Sequence, residues 1–218
     1  MIELVRAELA RQVRRPRTWL TLAGLALFDI VLTVAIASTG SGTLERVGDV
    51  PLLITPSGSG FSVPVIALSS TMKFFLPLAV AMFAGESIAG EAGWGSIRYS
   101  LARPVRRSSY LASKLIVALF LSLVAVVIVP VAAAGVGVAA FGTHPLVVVD
   151  GSNSAIGNGA VATFGAGAAF AKLALASAYV AAGMTSILAF AFLLSTITER
   201  AVVAVAGGVG LTIISPAF

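Results

Sequence analysis

Long uncharged runs alternate with short polar stretches along this chain, and the runs are apolar on every side. Five of them approach the roughly 20 residues that a helix needs to cross a bilayer. Their Ala- and Leu-rich composition favours helices over the alternating pattern of outer-membrane strands. The predicted spans cover residues 18–38, 64–85, 115–141, 173–198 and 201–218. The pattern therefore predicts an all-α polytopic membrane protein with a single transmembrane domain, residues 1–218.

The longer segments between the spans contain turn signals. Residues 39–63 and 142–171 are rich in Gly, with Pro residues among them, and we predict both as outer loops. Within the second loop, Leu146–Val149 is the one stretch that resembles a short strand.

The first 15 residues predict an amphipathic helix lying in the membrane interface. Apolar residues recur there at helical spacing, with Glu and Arg on the other face. Pro16 ends this helix before the first span. A cleaved signal peptide is the alternative, because residues 35–37 resemble a cleavage site. However, the basic region and the apolar run are both longer than a signal needs.

Composition excludes a soluble protein. Apolar residues make up 58% of the chain and charged residues 11%, against about 25% charged in soluble domains. The mean hydropathy is +1.04. This leaves too little polar surface for a soluble enzyme or a nucleic-acid-binding domain, despite the net charge of +5. The absence of cysteine excludes disulfides and thiolate metal sites.

Basic residues lie almost entirely on one side of the predicted spans. Eleven occupy that side, whereas the outer loops contain only Arg46. The eleven are Arg6, Arg11, Arg14, Arg15, Arg17, Arg98, Arg103, Arg106, Arg107, Lys114 and Arg200. Because basic residues are retained on the cytoplasmic side, the N-terminus is predicted to be cytoplasmic.

The motifs of catalysis are missing from the sequence. There is no GxxxxGK[ST] phosphate-binding loop, and His144 is the single histidine. One histidine cannot supply a nucleophile–base–acid set or a zinc site. We therefore expect no enzymatic activity, metal or cofactor in this chain itself.

Residues 86–114 carry most of the polar chemistry, in a definite order. An acidic residue, Glu91, is followed by a bend at Gly93 and Gly95. A short helix is predicted from Ser96, a suitable N-cap, and Pro104 stops it before a basic cluster. A second helix is predicted from about Ser108 into the third span. A basic loop that only enforces topology is the alternative, but it does not account for this order.

This order resembles the first cytoplasmic loop of permease subunits of type-2 ABC exporters. Those loops commonly show an acidic residue, Gly-Thr, a Leu-containing helix, Arg/Lys-Pro-x-Arg, and Lys before the third span. The matching residues are Glu91, Gly95-Ser96, Leu101, Arg103-Pro104-Val105-Arg106 and Lys114. Ser96 stands where Thr is usual. Ala7-Glu8-Leu9 and Arg15-Pro16-Arg17-Thr18 also resemble the family's interfacial helix.

The resemblance implies an ATP-driven exporter in the bacterial cytoplasmic membrane, surrounded by lipid and without nucleic acid. This chain would form the substrate path with a second permease copy, more simply an identical one. Each copy would dock a cytoplasmic ABC ATPase, which binds the ATP and Mg. The implied coupling residues are Glu91, Gly93, Gly95, Ser96, Arg98, Leu101, Arg103, Arg106 and Arg107. The family has six spans, so a sixth is expected beyond the five visible here.

Two other functions remain open from the sequence. An ion-gradient-driven transporter or channel predicts repeated halves with matching interrupted spans, and no such halves are visible. A non-transporting membrane assembly subunit would need no coupling segment. Nothing in the sequence indicates the transported substrate.

Two charges inside the predicted spans suggest a buried ion pair. Asp29 lies about 17 Å along the first span and Lys73 about 18 Å above the same side on the second, at about 1.5 Å per residue. Consecutive antiparallel helices would bring them to the same depth. The alternative is that Lys73 reaches outward while Asp29 faces a watery path alone.

Overall fold

The order of the helices agrees in outline with the sequence prediction. The computed structural model describes residues 2–39, 43–47, 50–54, 60–93, 106–144, 146–150 and 161–214. Its helices are α1 (Ile2–Val13), α2 (Pro16–Thr39), α3 (Ser62–Thr71), α4 (Phe75–Gly85), α5 (Ala89–Gly93), α6 (Arg107–Phe141), α7 (Ala166–Ile197) and α8 (Ala201–Ile214). Its strands are β1 (Thr43–Val47), β2 (Val50–Ile54), β3 (Leu146–Asp150) and β4 (Val161–Phe164).

Three helices among the described residues are long and apolar enough to cross a membrane, namely α2, α6 and α7. The interrupted pair α3 and α4 makes a fourth if it is one crossing, and α8 is shorter, at 14 residues. A helical, membrane-embedded chain is therefore confirmed. The count of five spans stays a prediction, and residues 215–218 of the predicted fifth span lie outside the described residues.

The second predicted span, residues 64–85, is not one continuous helix. α3 ends at Thr71 and α4 begins at Phe75. Pro77 has no N–H to donate to the carbonyl oxygen of Lys73, and its ring would clash with that carbonyl in a continuous helix. Inside α4 the same proline lies in the first turn, where no intrahelical donor is needed.

One of the two long helices begins where the sequence predicts, and the other begins earlier. α6 begins at Arg107, next to the predicted start at about Ser108, whereas α7 begins at Ala166 instead of residue 173. The end of an apolar run marks where polar side chains begin, but Arg, Ser and Lys are acceptable in a helix. The start of α6 therefore extends the predicted third span into the polar segment 86–114.

The chain divides into two compact units, and the first comprises residues 1–24, 72–126 and 180–218. Its core contains fully buried apolar side chains from α4, α6 and α7, including Val80, Val117 and Ile187. α8 packs closely there, because a Cβ added to Gly208 would lie 2.9 Å from the Cβ atoms of Ala81 and Ala191.

The second unit comprises residues 25–71 and 127–179 and contains a small antiparallel sheet. Its strand order is β1-β2-β3-β4, with Leu53 opposite Val149. β3 confirms the strand predicted at Leu146–Val149. The other three strands correct the all-α prediction, which holds for the apolar helices but not for the two outer loops.

Glycines set the closest approach of two segments in this second unit. A Cβ on Gly60 would lie 2.7 Å from the carbonyl oxygen of Gly137, so neither position has room for a side chain. The Gly60 N–H donates to the Gly142 carbonyl at 3.1 Å, and Gly142 has a φ of 74°. Val63, Ala67 and Ala133 form the adjoining core.

Candidate functional site

Short helix α5 brings a carboxylate into the interior of the first unit. Its sequence, Ala-Gly-Glu-Ala-Gly, follows directly on the turn after α4. Glu91 is the one charged residue in it and is only 4% exposed. An ionised carboxylate at that depth needs cations and hydrogen-bond donors around it.

The first turns of α6 supply a cation and a donor on one helix face. Tyr110 and Lys114 are four residues apart and therefore neighbours on that face. The Lys114 ammonium lies 5.1 Å from the centre of the Tyr110 ring. Its side chain is fully buried, which is rare for lysine unless the ammonium is paired.

Helix α1, predicted to lie in the membrane interface, supplies a second carboxylate and a second cation. Glu8 and Arg11 are three residues apart, and Arg11 Nη1 lies 3.0 Å from Glu8 Oε2. Glu8 is 5% exposed, so the polar face of α1 is covered by protein at this point. Gln12 adds a weaker hydrogen bond of 3.4 Å from Nε2 to Glu8 Oε1.

Four charged side chains contact one another and are referred to below as the ionic cluster. Its members are Glu8, Arg11, Glu91 and Lys114. Lys114 Nζ lies 3.1 Å from Glu8 Oε1 and 2.9 Å from Glu91 Oε1. Arg11 Nη1 completes the cluster at 3.1 Å from Glu91 Oε1. Two carboxylates thus balance two cations, and each cation contacts both carboxylates.

A neutral donor and an outer cation complete the surroundings of Glu91. The Tyr110 hydroxyl donates to Glu91 Oε2 at 2.6 Å, and Arg15 Nη2 lies 3.7 Å from Oε1. Burial alone raises the pKa of Glu91, but the ammonium of Lys114, the Tyr110 hydroxyl and the Arg11 guanidinium outweigh it. The pKa of Glu91 therefore lies below its ordinary value, and the carboxylate is ionised at neutral pH.

The cluster is suited to mechanical connection and not to bond chemistry. Its charges are mutually neutralised, and it offers no nucleophile paired with a base. Removing one charge from such a buried set leaves another uncompensated, at a cost of about 3–5 kcal/mol. The cluster therefore fixes α1, α5 and the start of α6 in one arrangement.

A second connection in the same unit joins α7 to the turn between α4 and α5. Ser195 Oγ donates to the Gly85 carbonyl oxygen at 2.7 Å. The same oxygen accepts the N–H groups of Ile88 and Ala89 at 3.2 and 2.9 Å. One buried hydroxyl thus satisfies backbone groups at the end of α4 and the start of α5.

Of the predicted coupling residues, the structure brings Glu91 into the cluster. Arg106 and Arg107 lie at the beginning of α6 and are exposed. Gly95, Ser96, Arg98, Leu101 and Arg103 lie outside the described residues. The predicted short helix beginning at Ser96 lies there too.

Gly93 is one of the two glycines of the predicted bend, and the other, Gly95, lies outside the described residues. Gly93 is the last residue of α5, and its φ is not positive. A side chain at this position has little room, because a Cβ added to Gly93 would lie 3.2 Å from the carbonyl oxygen of Glu199. A glycine in a polar segment indicates either a turn or a close approach, and the sequence alone did not distinguish them.

The ion pair between Asp29 and Lys73 joins residues of the two different units and stays a prediction. Asp29 is fully buried, and its Oδ1 accepts a hydrogen bond of 2.7 Å from the Thr71 hydroxyl. Its Oδ2 has no hydrogen-bond partner among the described residues. Lys73 is exposed and lies in the interruption that Pro77 imposes, so the depth calculated for a continuous helix does not apply.

The site prediction from the sequence missed Glu8, Tyr110 and the pairing of Lys114. A weak signal existed, since Lys114 follows Tyr110 by one helical turn and Glu8 lies on the polar face of α1. Which acid meets which base across distant segments is a tertiary property. Among the described residues, no group of three His, Asp or Glu side chains is placed to hold a metal ion.

The apolar helices and the buried ionic cluster at their ends define a polytopic helical membrane protein. The chain belongs to the family described as Protein of unknown function (DUF2705), whose model matches residues 49–213. A comparison with curated proteins finds no match.

Proposed function

We propose that this chain is the transmembrane subunit of an ATP-driven exporter of the ABC type, with its N-terminus in the cytoplasm of a bacterial cell. One observation supports the proposal most: Lys114 binds Glu8 and Glu91 together. All three residues belong to the segments whose sequence resembles type-2 exporter permeases. The ionic cluster gives that resemblance a physical basis. It connects Glu8 of α1 to Glu91 and Lys114, which lie on either side of residues 94–105.

The mechanism follows from where the cluster lies along the chain. Glu91 precedes residues 94–105 and Lys114 follows them, so a force applied to that segment is carried at both ends into one rigid cluster. From there it passes to α1 and α6 through the ion pairs, and to α7 through Ser195. A partner ATPase that closes on ATP and Mg would thereby shift the helices between two arrangements. A second permease copy would complete the substrate path.

A gradient-driven transporter and an assembly subunit are the competing functions. Both predict that the chain works without a dedicated ATPase. The decisive experiment therefore looks for an ABC ATPase gene beside the gene of this chain, co-expresses its product with the tagged chain, and measures the ATPase retained after purification in detergent. We expect equal stoichiometry of the two subunits, and ATP hydrolysis that depends on the membrane subunit.

Charge reversal in the coupling segment tests the assignment of the contact. Arg98→Glu combined with Arg103→Glu should remove the ATPase while membrane insertion and yield remain normal. Arg17→Gln is the matched control, because Arg17 is a cationic residue on the same predicted side whose pair with Glu86 is half exposed. Normal ATPase retention by the double variant, or none by the wild type, would show that the proposal is wrong.

A further inference from the structure

An open cleft lies in the first unit, between the junction of α1 and α2 and the end of α4. Charged and less polar side chains share its lining. Among them are Arg15, Arg17, Thr21, Met82, Phe83 and Glu86. None of these six belongs to the ionic cluster, so the cleft is a separate feature of this unit.

The polarity of the cleft changes along the helices that form it. Arg17 lies in the first turn of α2 and Glu86 directly follows α4, so both charges are at helix ends. Thr21 lies about 6 Å further along α2, and Phe83 lies about 4.5 Å further back in α4, at about 1.5 Å per residue. Charged groups therefore line the end of the cleft nearer to α1, whereas Met82 and Phe83 line it about one turn deeper.

Trp19 identifies the start of α2 as the level of a membrane interface. It is 60% exposed, and its indole N–H donates to the Val13 carbonyl oxygen at 2.8 Å. Leu20, the next residue of α2, is 71% exposed. Tryptophan is enriched where a bilayer meets water, because its ring is apolar and its N–H needs a polar partner. Since α2 is long and apolar enough to span a membrane, Arg17 lies at the depth of the lipid headgroups.

The two guanidinium groups of the cleft are held loosely by their acidic neighbours. Arg17 Nη1 lies 3.4 Å from both carboxylate oxygens of Glu86, against about 2.7–2.9 Å for a close charged hydrogen bond. Arg15 Nη2 lies 3.7 Å from Glu91 Oε1, which is too long for a hydrogen bond. Because each guanidinium group has several N–H donors, both can donate to a further anion.

Charge decides which lipid headgroup fits the cleft. Arg15 and Arg17 bring two positive charges and Glu86 one negative charge, whereas the neighbouring ionic cluster is neutral in sum. One positive charge is left over, and the phosphodiester of an anionic phospholipid would neutralise it. A zwitterionic headgroup would bring an ammonium group as well. Among the described residues that line the cleft, the carboxylate that could receive it, Glu86, is already paired with Arg17.

We propose that this cleft binds one anionic phospholipid, whose headgroup carries a phosphodiester and no ammonium group. Arg15 and Arg17 donate to the phosphate oxygens, as basic pockets between membrane helices do for acidic headgroups. The first part of an acyl chain lies against Met82 and Phe83. The bound lipid contacts α1, α2 and α4 together. This inference does not depend on the proposed function, because it requires only a membrane-embedded chain.

Native mass spectrometry of the full chain in a neutral detergent tests the site. Phosphatidylglycerol and phosphatidylcholine with identical acyl chains are titrated separately. We expect one phosphatidylglycerol to bind tightly and phosphatidylcholine to bind more weakly. Arg15→Gln and Arg17→Gln should each weaken phosphatidylglycerol binding by about fivefold, the effect of one arginine near an anionic lipid. Arg17→Gln should fold, because its pair with Glu86 is half exposed, so the test stands even if Arg15→Gln disturbs the ionic cluster.

Arg14 provides the matched control for a diffuse basic surface. It is exposed and next to Arg15 in the sequence, but it does not line the cleft. Arg14→Gln should therefore leave the affinity for phosphatidylglycerol unchanged. A loss equal to that of Arg17→Gln would show general attraction to basic residues and overturn the site.

Glu86→Gln gives the test a result in the opposite direction. It removes the negative charge of the cleft and releases Arg17, so it should tighten phosphatidylglycerol binding. Weaker binding by Glu86→Gln, or equal binding of the two lipids by the wild type, would show that the site does not select an anionic headgroup. Displacement of phosphatidylglycerol by an equal concentration of inorganic phosphate would show a site for free anions and also contradict the proposal.

Discussion

The Lys114 ammonium lies 2.9 Å from Glu91 Oε1, and these two residues lie on either side of residues 94–105 in the sequence. The lysine side chain is fully buried, so this contact is shielded from water and salt. The contact therefore holds together two residues that are 23 positions apart in the chain. The same ammonium holds Glu8 of α1, which makes the interfacial helix part of the same body.

Removing the Lys114 ammonium should destabilise the folded protein more than removing it together with one of its partner carboxylates. Lys114→Met removes the fully buried cation that contacts both Glu8 and Glu91, and we expect a loss of about 3–5 kcal/mol in the free energy of unfolding. Adding Glu91→Gln leaves a neutral Glu8–Arg11 pair and should recover part of that loss. Thermal unfolding followed by size-exclusion fluorescence measures both variants.

The exposed pair of Arg17 and Glu86 is the control for that series. Their nitrogen and oxygen atoms lie 3.4 Å apart, with the Arg17 side chain 58% exposed. Breaking this pair should change stability by about 1 kcal/mol at most. A double variant no more stable than Lys114→Met alone would contradict the charge-balance account of the cluster.

Acid should weaken the cluster through Glu91. Because the pKa of Glu91 is lower in the folded protein than its ordinary value, the unfolded chain binds more protons in this range. The stabilisation is therefore present above the ordinary glutamate pKa and is lost as pH falls through the folded value. Thermal midpoints across that acidic range should fall for the wild type and less steeply for Glu91→Gln.

Removing the buried hydroxyl of Ser195 should destabilise the protein more than removing an exposed hydroxyl of the same helix. Ser195→Ala leaves the Gly85 carbonyl and two backbone N–H groups without their partner, which costs about 1–3 kcal/mol. Thr196→Ala is the matched control, since that hydroxyl is exposed and bonds only within its own helix, to Leu193. Equal thermal midpoints for the two variants would argue against the connection between α7 and the α4–α5 turn.

Two glycines of α8 should respond in opposite ways to the same change. Gly208→Ala places a methyl group 2.9 Å from Ala81 and Ala191, and overpacking of this kind costs about 1–3 kcal/mol. Gly210→Ala meets nothing within 4 Å and should stabilise the helix by up to about 1 kcal/mol. The yield of monodisperse protein after mild heating distinguishes them. Loss from Gly210→Ala would contradict this packing.

Periodicity and composition were enough to predict the long apolar helices and the N-terminal helix α1, because each depends on local chain properties. α1 spans Ile2–Val13 where residues 1–15 predicted it, and α2 covers the first predicted span. The start of α6 at Arg107 also agrees with the helix predicted from about Ser108. The interruption between α3 and α4 was not readable from Pro77 alone, because Pro130 lies inside the continuous helix α6.

The sequence by itself determined that this chain is a helical membrane protein, that Glu91 and Lys114 belong to a polar segment, and that Asp29 is an unusual charge within a span. Only the tertiary structure decided which charges meet. Apolar burial is roughly proportional to area and does not depend on the partner, so a local pattern can reveal it. An ion pair or hydrogen bond requires atoms about 3 Å apart. That distance is set by the packing of whole helices, which joined Lys114 to Glu8 and Glu91 and brought the Thr71 hydroxyl to Asp29.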